Sequence, residues 1–404
     1  MIHRSDVCVI GNGAIGKTAA LGLAQAGLSV TMLVPAAPMP TLAAAPVPAP
    51  VPAWDVRVYA LNHAARDLLD ALRVWDAMDG ERIAEVEAMQ VKGDGTGGAG
   101  RLSFDAYGAR VGTLAWIVED RNLGQALDAA LKFAPGLNIV SGRAASLRQS
   151  EEIASITLEN GDRIEAALMV GADGGNSWVR GQCDIGIDYR SYGQQALVTN
   201  FETEHAHQGV AWQWFTGNEG IIALLPLAGQ RVSLVWSAPQ MLAQSLLSEP
   251  LAHLAERLSA LPGMPFGQLR PIQPESIKSL PLSLIRAHAM TAPRVALVGD
   301  AAHVVHPLAG HGMNLGFADV AVLIKTLAGR SMQTDCGDPQ LLGQYARARK
   351  EDVWLMQAAT DGLERLFSTN LEPVRLLRNL GMSLVDKSPF LKRRLIAHAM
   401  GKRF

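Results

Sequence analysis

A strand–turn–helix–strand at the N-terminus, a cluster of short strands in the middle and helical spacing at the end predict an α/β protein. The expected architecture combines a Rossmann-like nucleotide-binding domain, an antiparallel sheet and a helical C-terminus. The first observation is local. Val7-Cys8-Val9-Ile10 reads as a buried strand, and Gly11-Asn12-Gly13-Ala14-Ile15-Gly16 follows at once. A helix apolar at Ala19, Leu21, Leu23 and Ala24 comes next, ends at Gly27, and gives way to a second strand over Leu28 to Leu33. That is GxGxxG in the strand–turn–helix–strand setting it needs. Gly11 makes the turn, Gly13 lets backbone approach a pyrophosphate, and Gly16 lets the helix pack on the strand. Ala14 and Ile15 fill the positions between the last two glycines. The second strand ends Leu33-Val34-Pro35 without the acid that usually holds a ribose, so the ribose hydroxyls need another partner.

The second observation is the stretch Arg294 to Asp319. Val295 to Val298 is a short apolar run that stops at Gly299-Asp300. A carboxylate at the carboxyl end of a parallel strand sits where open α/β sheets bind ligands. It only accepts hydrogen bonds, which suits the hydroxyls of a sugar or ribitol chain. Pro307, Gly310 and Gly312 mark a tight turn, and from about Met313 the spacing of Leu315, Val320, Val322 and Leu323 is helical. The start of that helix favours a negative charge. The third observation is the run of short apolar strands between Leu197 and Ser237, which reads as an antiparallel sheet.

A chain of 404 residues is too long for one simple core, so two or three domains are expected. A net charge of −2 offers no cationic field for nucleic acid. The three cysteines, Cys8, Cys183 and Cys336, are scattered without CxxC and read as reduced thiols of a cytosolic protein. No metal-ligand spacing occurs. Asp6 interrupts the only apolar start and no apolar run spans a bilayer, so a cytoplasmic protein is expected.

Between these landmarks, residues 36–53 are almost wholly Pro, Ala and Val and are expected to run extended. Asp55 to Leu61 precedes a helix through Leu68, Leu69 and Leu72 to Trp75. The glycine-rich stretch Gly93 to Gly100 leads into Arg101 to Asp105, which alternates like a strand, so it reads as a hairpin loop with no phosphate role. Arg121 sits at a helix start, where a cation is unfavourable unless an anion is near, and Gln125 shares its face one turn on. Asp173, after the strand Leu168 to Gly171, is read either as a ligand or as a helix cap. Trp212, Trp214 and Trp236 fit either a pocket lining or plain core. From Leu341 the chain is helical. Its end is basic and amphipathic, with Arg375, Arg378, Lys387, Lys392, Arg393, Arg394, Lys402 and Arg403 against Asp386. An anionic membrane surface, a solvated helix face and a subunit contact all fit it.

Taken together, these segments resemble the UbiH/UbiF/VisC type of FAD-dependent hydroxylase of ubiquinone biosynthesis, which has the para-hydroxybenzoate-hydroxylase fold. The matching words are DxRVxAL at Asp55 to Leu61, GADGxxSxxR at Gly171 to Arg180, YGQQALVTN at Tyr192 to Asn200, FTGNEGIIALLPL at Phe215 to Leu227, SLVWS at Ser233 to Ser237 and the Arg294 to Asp319 stretch. YARARK at Tyr345 to Lys350 and TDGLERLFS at Thr360 to Ser368 match again. The resemblance implies FAD as cofactor and NAD(P)H as transient co-substrate. It implies hydroxylation of the ring of a polyprenylated phenol or quinol with O2, by way of a flavin C4a-hydroperoxide. Asp300 would hold the ribitol, and the helix start formed by Pro307, Gly310, Gly312, Met313 and Asn314 would face the isoalloxazine. Gly11, Gly13, Ala14, Ile15 and Gly16 would take the pyrophosphate, Arg121 and Gln125 phosphate or ribose, and Asp173 the cofactor. Arg57 would lie near the flavin, or else pair with Asp55 on the surface.

The resemblance requires no side-chain base, and the two candidates for a catalytic role are His311, where the family usually has Gln, and Arg57. A second departure is Gln213-Trp214, where Glu-Arg is expected. No second GxGxxG unit for NAD(P)H follows the first. The implied division places the FAD-binding domain at 1–82, 110–180 and 289–340, the substrate domain at 83–109 and 181–288, and a helical region at 341–404. Through its basic tail the chain would touch the inner face of the cytoplasmic membrane or a ubiquinone-pathway complex. The alternatives are a hydroxylase of a soluble aromatic and a low-activity flavin-fold scaffold protein of the same pathway.

Overall fold

The buried run Val7 to Ile10 forms the inner end of a longer strand, Ile2–Ile10, at the centre of a parallel sheet. The structure, a computed structural model, describes residues 1–35, 54–94, 100–273, 276–368, 372–388, 392, 396 and 400–401. The Pro/Ala/Val stretch 36–53, the tip of the glycine-rich loop and most of the tail beyond residue 388 lie outside them. Arg163–Gly171 pairs with the central strand on one side and Val30–Val34 on the other, with Val7 opposite both Leu168 and Val30. Leu137–Ser141 and Val295–Leu297 continue the parallel order outward. Parallel strands have both faces covered, which explains their unbroken apolar runs. Val7, Val9, Val30 and Leu168 bury against Leu21, Leu23, Phe317, Val320 and Leu323 of two helices, Ala14–Gln25 and His311–Ala328. Cys8, Ile10 and Met169 bury on the other face with Val179 and Leu297.

The second sheet runs in the order His303–Val304, Lys278–Ala287, Ile187–Thr203, Arg231–Pro239, Ile221–Leu227, Val210–Phe215, Ala88–Lys92, Arg101–Asp105. It is not wholly antiparallel as the sequence suggests: Val210–Phe215 and Ala88–Lys92 pair in parallel. They come from distant chain segments, so no hairpin sets their direction. The strand Arg101–Asp105 does fold back on Ala88–Lys92 as a hairpin. One face of this sheet buries Leu197, Phe201, Trp214 and Trp236 against the helices Gln240–Ser248 and Leu251–Ser259. Trp214 and Trp236 are therefore core, and Trp212 stacks on Trp214 at 5.7 Å. The other face carries Val91, Phe215 and Ile221 to Leu308 and Phe367. Alternation along the strand puts Gln213 on Phe215's side, where it is 5% exposed.

Ile187–Thr203 is interrupted once. Ser191 pairs with Ser283 and Gln195 with Pro281, so Tyr192, Gly193 and Gln194 stand against Leu282 alone. Such a bulge re-aims side chains, and Gly193 supplies the left-handed φ of 64° it requires.

The helical end consists of Pro339–Ser368 and Glu372–Asp386. The second of these docks on Arg101–Asp105, where the Ser103 N–H donates to Asp386 Oδ1 at 3.0 Å. One expected surface charge of the tail is buried: Arg378 pairs with Asp94, donates to the Leu366 carbonyl at 2.9 Å and lies over the Phe367 ring. Helical spacing alone did not separate this inward arginine from its exposed neighbours. No helix among the described residues is long and apolar enough to cross a membrane.

Candidate active site

The first turn is built by close packing. Gly11 has φ 134°, and a Cβ there would stand 2.1 Å from the Ala172 carbonyl oxygen. A Cβ on Gly16 would stand 2.4 Å from the Gly11 carbonyl oxygen. Gly13 differs: a Cβ there meets nothing within 4 Å. Gly13 is the N-cap of Ala14–Gln25, and no side chain caps that helix and no acid lies in its first turn. Its unpaired N–H groups thus face open space, the arrangement that binds a phosphate. Ile15 joins this turn to the far segment. Its side chain fills the space above two glycines, 3.2 Å from where a Gly299 Cβ would be and 2.8 Å from that of Gly316. Val34 ends the second strand with no acceptor for a ribose.

Asp300 stands at the end of Val295–Leu297, after Gly299 turns the chain at φ 60°. The turn is fastened from the GADGxxSxxR segment: Arg180 Nη1 donates to the Ala301 carbonyl and Nη2 to the Gly175 carbonyl, both at 2.8 Å. Asp173 accepts from Ser177 Oγ at 2.6 Å and from the Val179 N–H at 3.0 Å, so one oxygen caps the following helix and the other holds its N-cap serine. Below the turn lies Asp319, which is fully buried. It accepts from the Gly299 N–H at 2.9 Å, His303 Nε2 at 2.6 Å and Arg349 Nε at 2.7 Å. Burial alone raises the Asp319 pKa, but His303 and Arg349 outweigh it and hold the carboxyl below its ordinary value.

Asp300 itself accepts no hydrogen bond from any described residue, and it is solvent-exposed. Its surroundings are nevertheless dense enough that desolvation raises its pKa, against the pull of His303 and Arg57. A carboxylate open to solvent yet closely ringed by protein lies in a cleft, with its lone pairs unused. That suits a ligand rich in hydroxyls.

The third wall is a helix start. Pro307 leads into the turn Leu308–Gly310, and the helix begins at His311, two residues before the spacing suggests. Gly310 has φ 67° and packs so that a Cβ would lie 3.0 Å from that of Ala60. Gly312 and Met313 occupy the first turn, where neither a side-chain cap nor an acid neutralises the dipole. Asn314 fastens this start to the strand Val58–Leu61: its amide donates to the Ala60 carbonyl at 2.8 Å and its oxygen accepts from the Asn62 N–H at 2.9 Å. The side chain of His311 lies outside the described part.

Arg57 points its guanidinium at Asp120 (3.6 Å) and Tyr59, not at Asp55, which instead accepts from the Arg57 backbone N–H. The local Asx turn takes up Asp55 and leaves the Arg57 charge to act on Asp300. Arg121 and Gln125 lie on the exposed face of Asp120–Lys132. That helix packs beside Ala14–Gln25, tied by Lys17 and Asp128 at 2.6 Å. Two features escape sequence reasoning. One is the Asp319–Arg349 pair, hidden because Asp352, one turn on and 2.8 Å from Arg349, already accounts for that charge within the helix. The other is a buried chain from His306 through Gln194 to Glu364, at 3.1 Å for each link.

A family model for an FAD binding domain matches residues 138–360, and one for glucose inhibited division protein A matches residues 6–211. The chain is 38% identical over 399 residues to the ubiquinone hydroxylase UbiL of Rhodospirillum rubrum, covering 98% of this chain and 90% of that one. It is 34% identical over 400 residues to the 3-demethoxyubiquinol 3-hydroxylase of Escherichia coli, covering 98% of each. Among solved structures, p-nitrophenol 4-monooxygenase PnpA from Pseudomonas putida matches with a TM-score of 0.77 over 100% of both chains at 18% identity, a likeness of fold. With its three glycine-bearing turns meeting at Asp300 and its full length matched by these relatives, the chain belongs to the FAD-dependent hydroxylases of ubiquinone biosynthesis.

Proposed function

We propose that this protein hydroxylates the aromatic ring of a polyprenylated phenol or quinol in ubiquinone synthesis, using FAD, NAD(P)H and O2. The observation that carries the reading is the Asp300 carboxylate, without a hydrogen-bond partner among the described residues and set in a cleft between two helix starts that lack a side-chain cap. An acceptor for a polyol flanked by two anion sites fits a flavin dinucleotide: pyrophosphate at Gly13 to Gly16, ribitol at Asp300, pyrimidine edge at Gly312 to Asn314. Arg121 and Gln125 reach phosphate or ribose, Arg57 stands near the flavin, and Asp173 shapes the turn beside it. FAD supplies the activation of O2; the chain binds, orients and desolvates. The dipole at the His311–Ala328 start stabilises negative charge on the bound ring. The inner face of the second sheet, with Phe215 and Ile221, gives an apolar seat for a prenylated ring.

Such a substrate resides in a bilayer. Leu380 and Leu384, one turn apart on Glu372–Asp386, are 65% and 69% exposed. The sequence after Asp386 adds Lys387, Lys392, Arg393, Arg394, Lys402 and Arg403, a basic composition that together with these exposed leucines suits peripheral contact with an anionic membrane. Ending the chain at Asp386 is expected to lower co-sedimentation with anionic liposomes severalfold. Unchanged binding would dismiss the membrane contact.

The test of the function itself is direct. The purified protein is expected to be yellow, and to oxidise NADH or NADPH faster when a prenylated phenol is added. Expressed in strains that each lack one ring-hydroxylation step, it is expected to restore quinone synthesis in at least one, read by mass spectrometry. A protein that never takes up flavin, or whose NAD(P)H oxidation ignores every phenol, would overturn the reading.

A further inference from the structure

A cavity of about 220 Å³ lies between the bulge of Ile187–Thr203, the turn before Ile221 and the helix Pro339–Ser368. A cavity of ~150 Å³ suffices for benzene, so this one has room for a substituted ring. Ile221, Pro239 and Phe367 give it apolar walls, and Gln194 and Glu364 are set into them. The cavity borders the loop assigned to the flavin. Leu308 shares an apolar cluster with Ile221 and Phe367, and His306, beside Pro307, bonds Gln194.

The hydrogen bonds give these groups a direction. Gln194 Nε2 donates to Glu364 Oε1 at 3.1 Å, so its Oε1 faces His306 and accepts from Nε2–H. Glu364 thus receives a hydrogen bond and is held as an acceptor, with Oε1 engaged and Oε2 unpartnered among the described residues. The residue is only 8% exposed. Burial raises its pKa, while Arg190, Arg365 and Gln194 lower it without cancelling the effect. The charges around it are otherwise matched: Arg190 and Arg365 both pair with Asp361, which also accepts from Tyr192 Oη. Tyr192 meets the His306 ring edge-on at 4.9 Å. His306 is fully buried, and burial pushes its pKa down to about 4, so at neutral pH it is uncharged. His306 therefore brings no positive charge to Glu364 through Gln194. The bulge, with Gly193 left-handed, is what turns Gln194 and Tyr192 toward this group.

We propose that Glu364 is a catalytic base of the ring hydroxylation, accepting at Oε2 the proton of the substrate's ring hydroxyl, with Gln194 and His306 as positioning residues. The assignment rests on the function proposed above. The O–H bond breaks, its electron pair stays on the ring oxygen, and the proton moves to Glu364. The ring carbons ortho and para to that oxygen become electron-rich and accept one oxygen atom from O2. NAD(P)H supplies the two electrons that reduce the other atom to water. The attacked carbon then loses its proton to water, and Glu364 returns its own proton to the ring oxygen. A base whose pKa is raised toward that of its substrate suits this transfer.

The experiment compares the wild-type holoprotein with Glu364→Gln and Glu364→Asp on two soluble probes. One is a short-chain prenylated phenol, protonated at neutral pH; the other is its ring-dinitrated analogue, already ionised. Glu364→Gln is expected to keep its flavin and to bind the phenol within about threefold of wild type, read by flavin absorbance. Its hydroxylation of the phenol is expected to fall about 100-fold, while the ionised analogue reacts within about threefold of the wild-type rate. Glu364→Asp is expected to recover part of the loss. Wild-type rates on the phenol, or equal losses on both probes, would overturn the assignment. If the yellow wild-type protein hydroxylates neither probe, the ring-hydroxylation reading falls and takes this assignment with it.

Discussion

Replacing Asp319 with asparagine is expected to destabilise the protein by about 3–5 kcal/mol, because it strips the shared anion from a buried cluster. Arg349 is 2% exposed and would keep only Asp352, at 2.8 Å, as a charge partner. His303 would lose its 2.6 Å acceptor, and the Gly299 N–H would lose the bond that shapes the turn before Asp300. The melting temperature of the holoprotein should fall by roughly 5 °C, and flavin should be lost on dialysis. The pH dependence follows from the direction of the shift. The Asp319 pKa is lowered in the folded state, so its stabilisation is present above the ordinary carboxylate pKa and fades as pH falls through the folded value. Wild type should therefore melt progressively lower in acid, below about pH 4, with a shallower acid limb in Asp319→Asn. A variant that melts with wild type and keeps its flavin would show that the cluster contributes nothing net.

Gly11→Ala should be comparably severe, for a different reason. The new methyl group would overlap the Ala172 carbonyl oxygen at 2.1 Å, on a residue whose φ is 134°. Ala172 cannot move aside cheaply, since its N–H bonds the Ile10 carbonyl at 2.8 Å within the central strand pair. Left-handed strain and overpacking each cost about 1–3 kcal/mol, so a loss on the order of 4 kcal/mol is expected. Gly13→Ala supplies the contrast. Its methyl group meets no atom within 4 Å, so the fold should hold while flavin affinity drops. Measuring melting temperature and flavin content for both separates packing from ligand approach. Equal behaviour of the two variants would refute the distinction.

The chain-local parts of this site were legible in the sequence. Gly11 to Gly16 stand in one strand–turn–helix, and Gly299 to Gly312 repeat the logic once more. Both carry their reasons within a few residues, as does the hairpin after Gly93. What was not legible depends on residues brought together from afar. Nothing near Asp319 announces Arg349, thirty positions on, and nothing near His306 announces Gln194. Arg57 reads either as a neighbour of the flavin or as a partner of Asp55; the fold points its guanidinium at Asp120, which lies 63 positions on. The central strand starts earlier than its apolar core because its polar end is paired too, through Arg4 and Glu165 at 3.0 Å. Arg378 looked like one more surface charge because helical spacing reports a face, not what that face meets.

The docked helix Glu372–Asp386 has a practical consequence for where this chain tolerates shortening. Its fastenings to the second sheet and the loop beside it, Arg378 to Asp94, Asn379 against Gly93 and Gly100, and Asp386 to the Ser103 amide, use residues before Lys387; beyond it, Lys392 adds an ion pair to Asp386. A stop codon after Asp386 leaves the latch shut. One after Ser368 strips the cover from the stacked rings of Phe215 and Phe367, leaving a greasy scar where the full-length molecule has a seam.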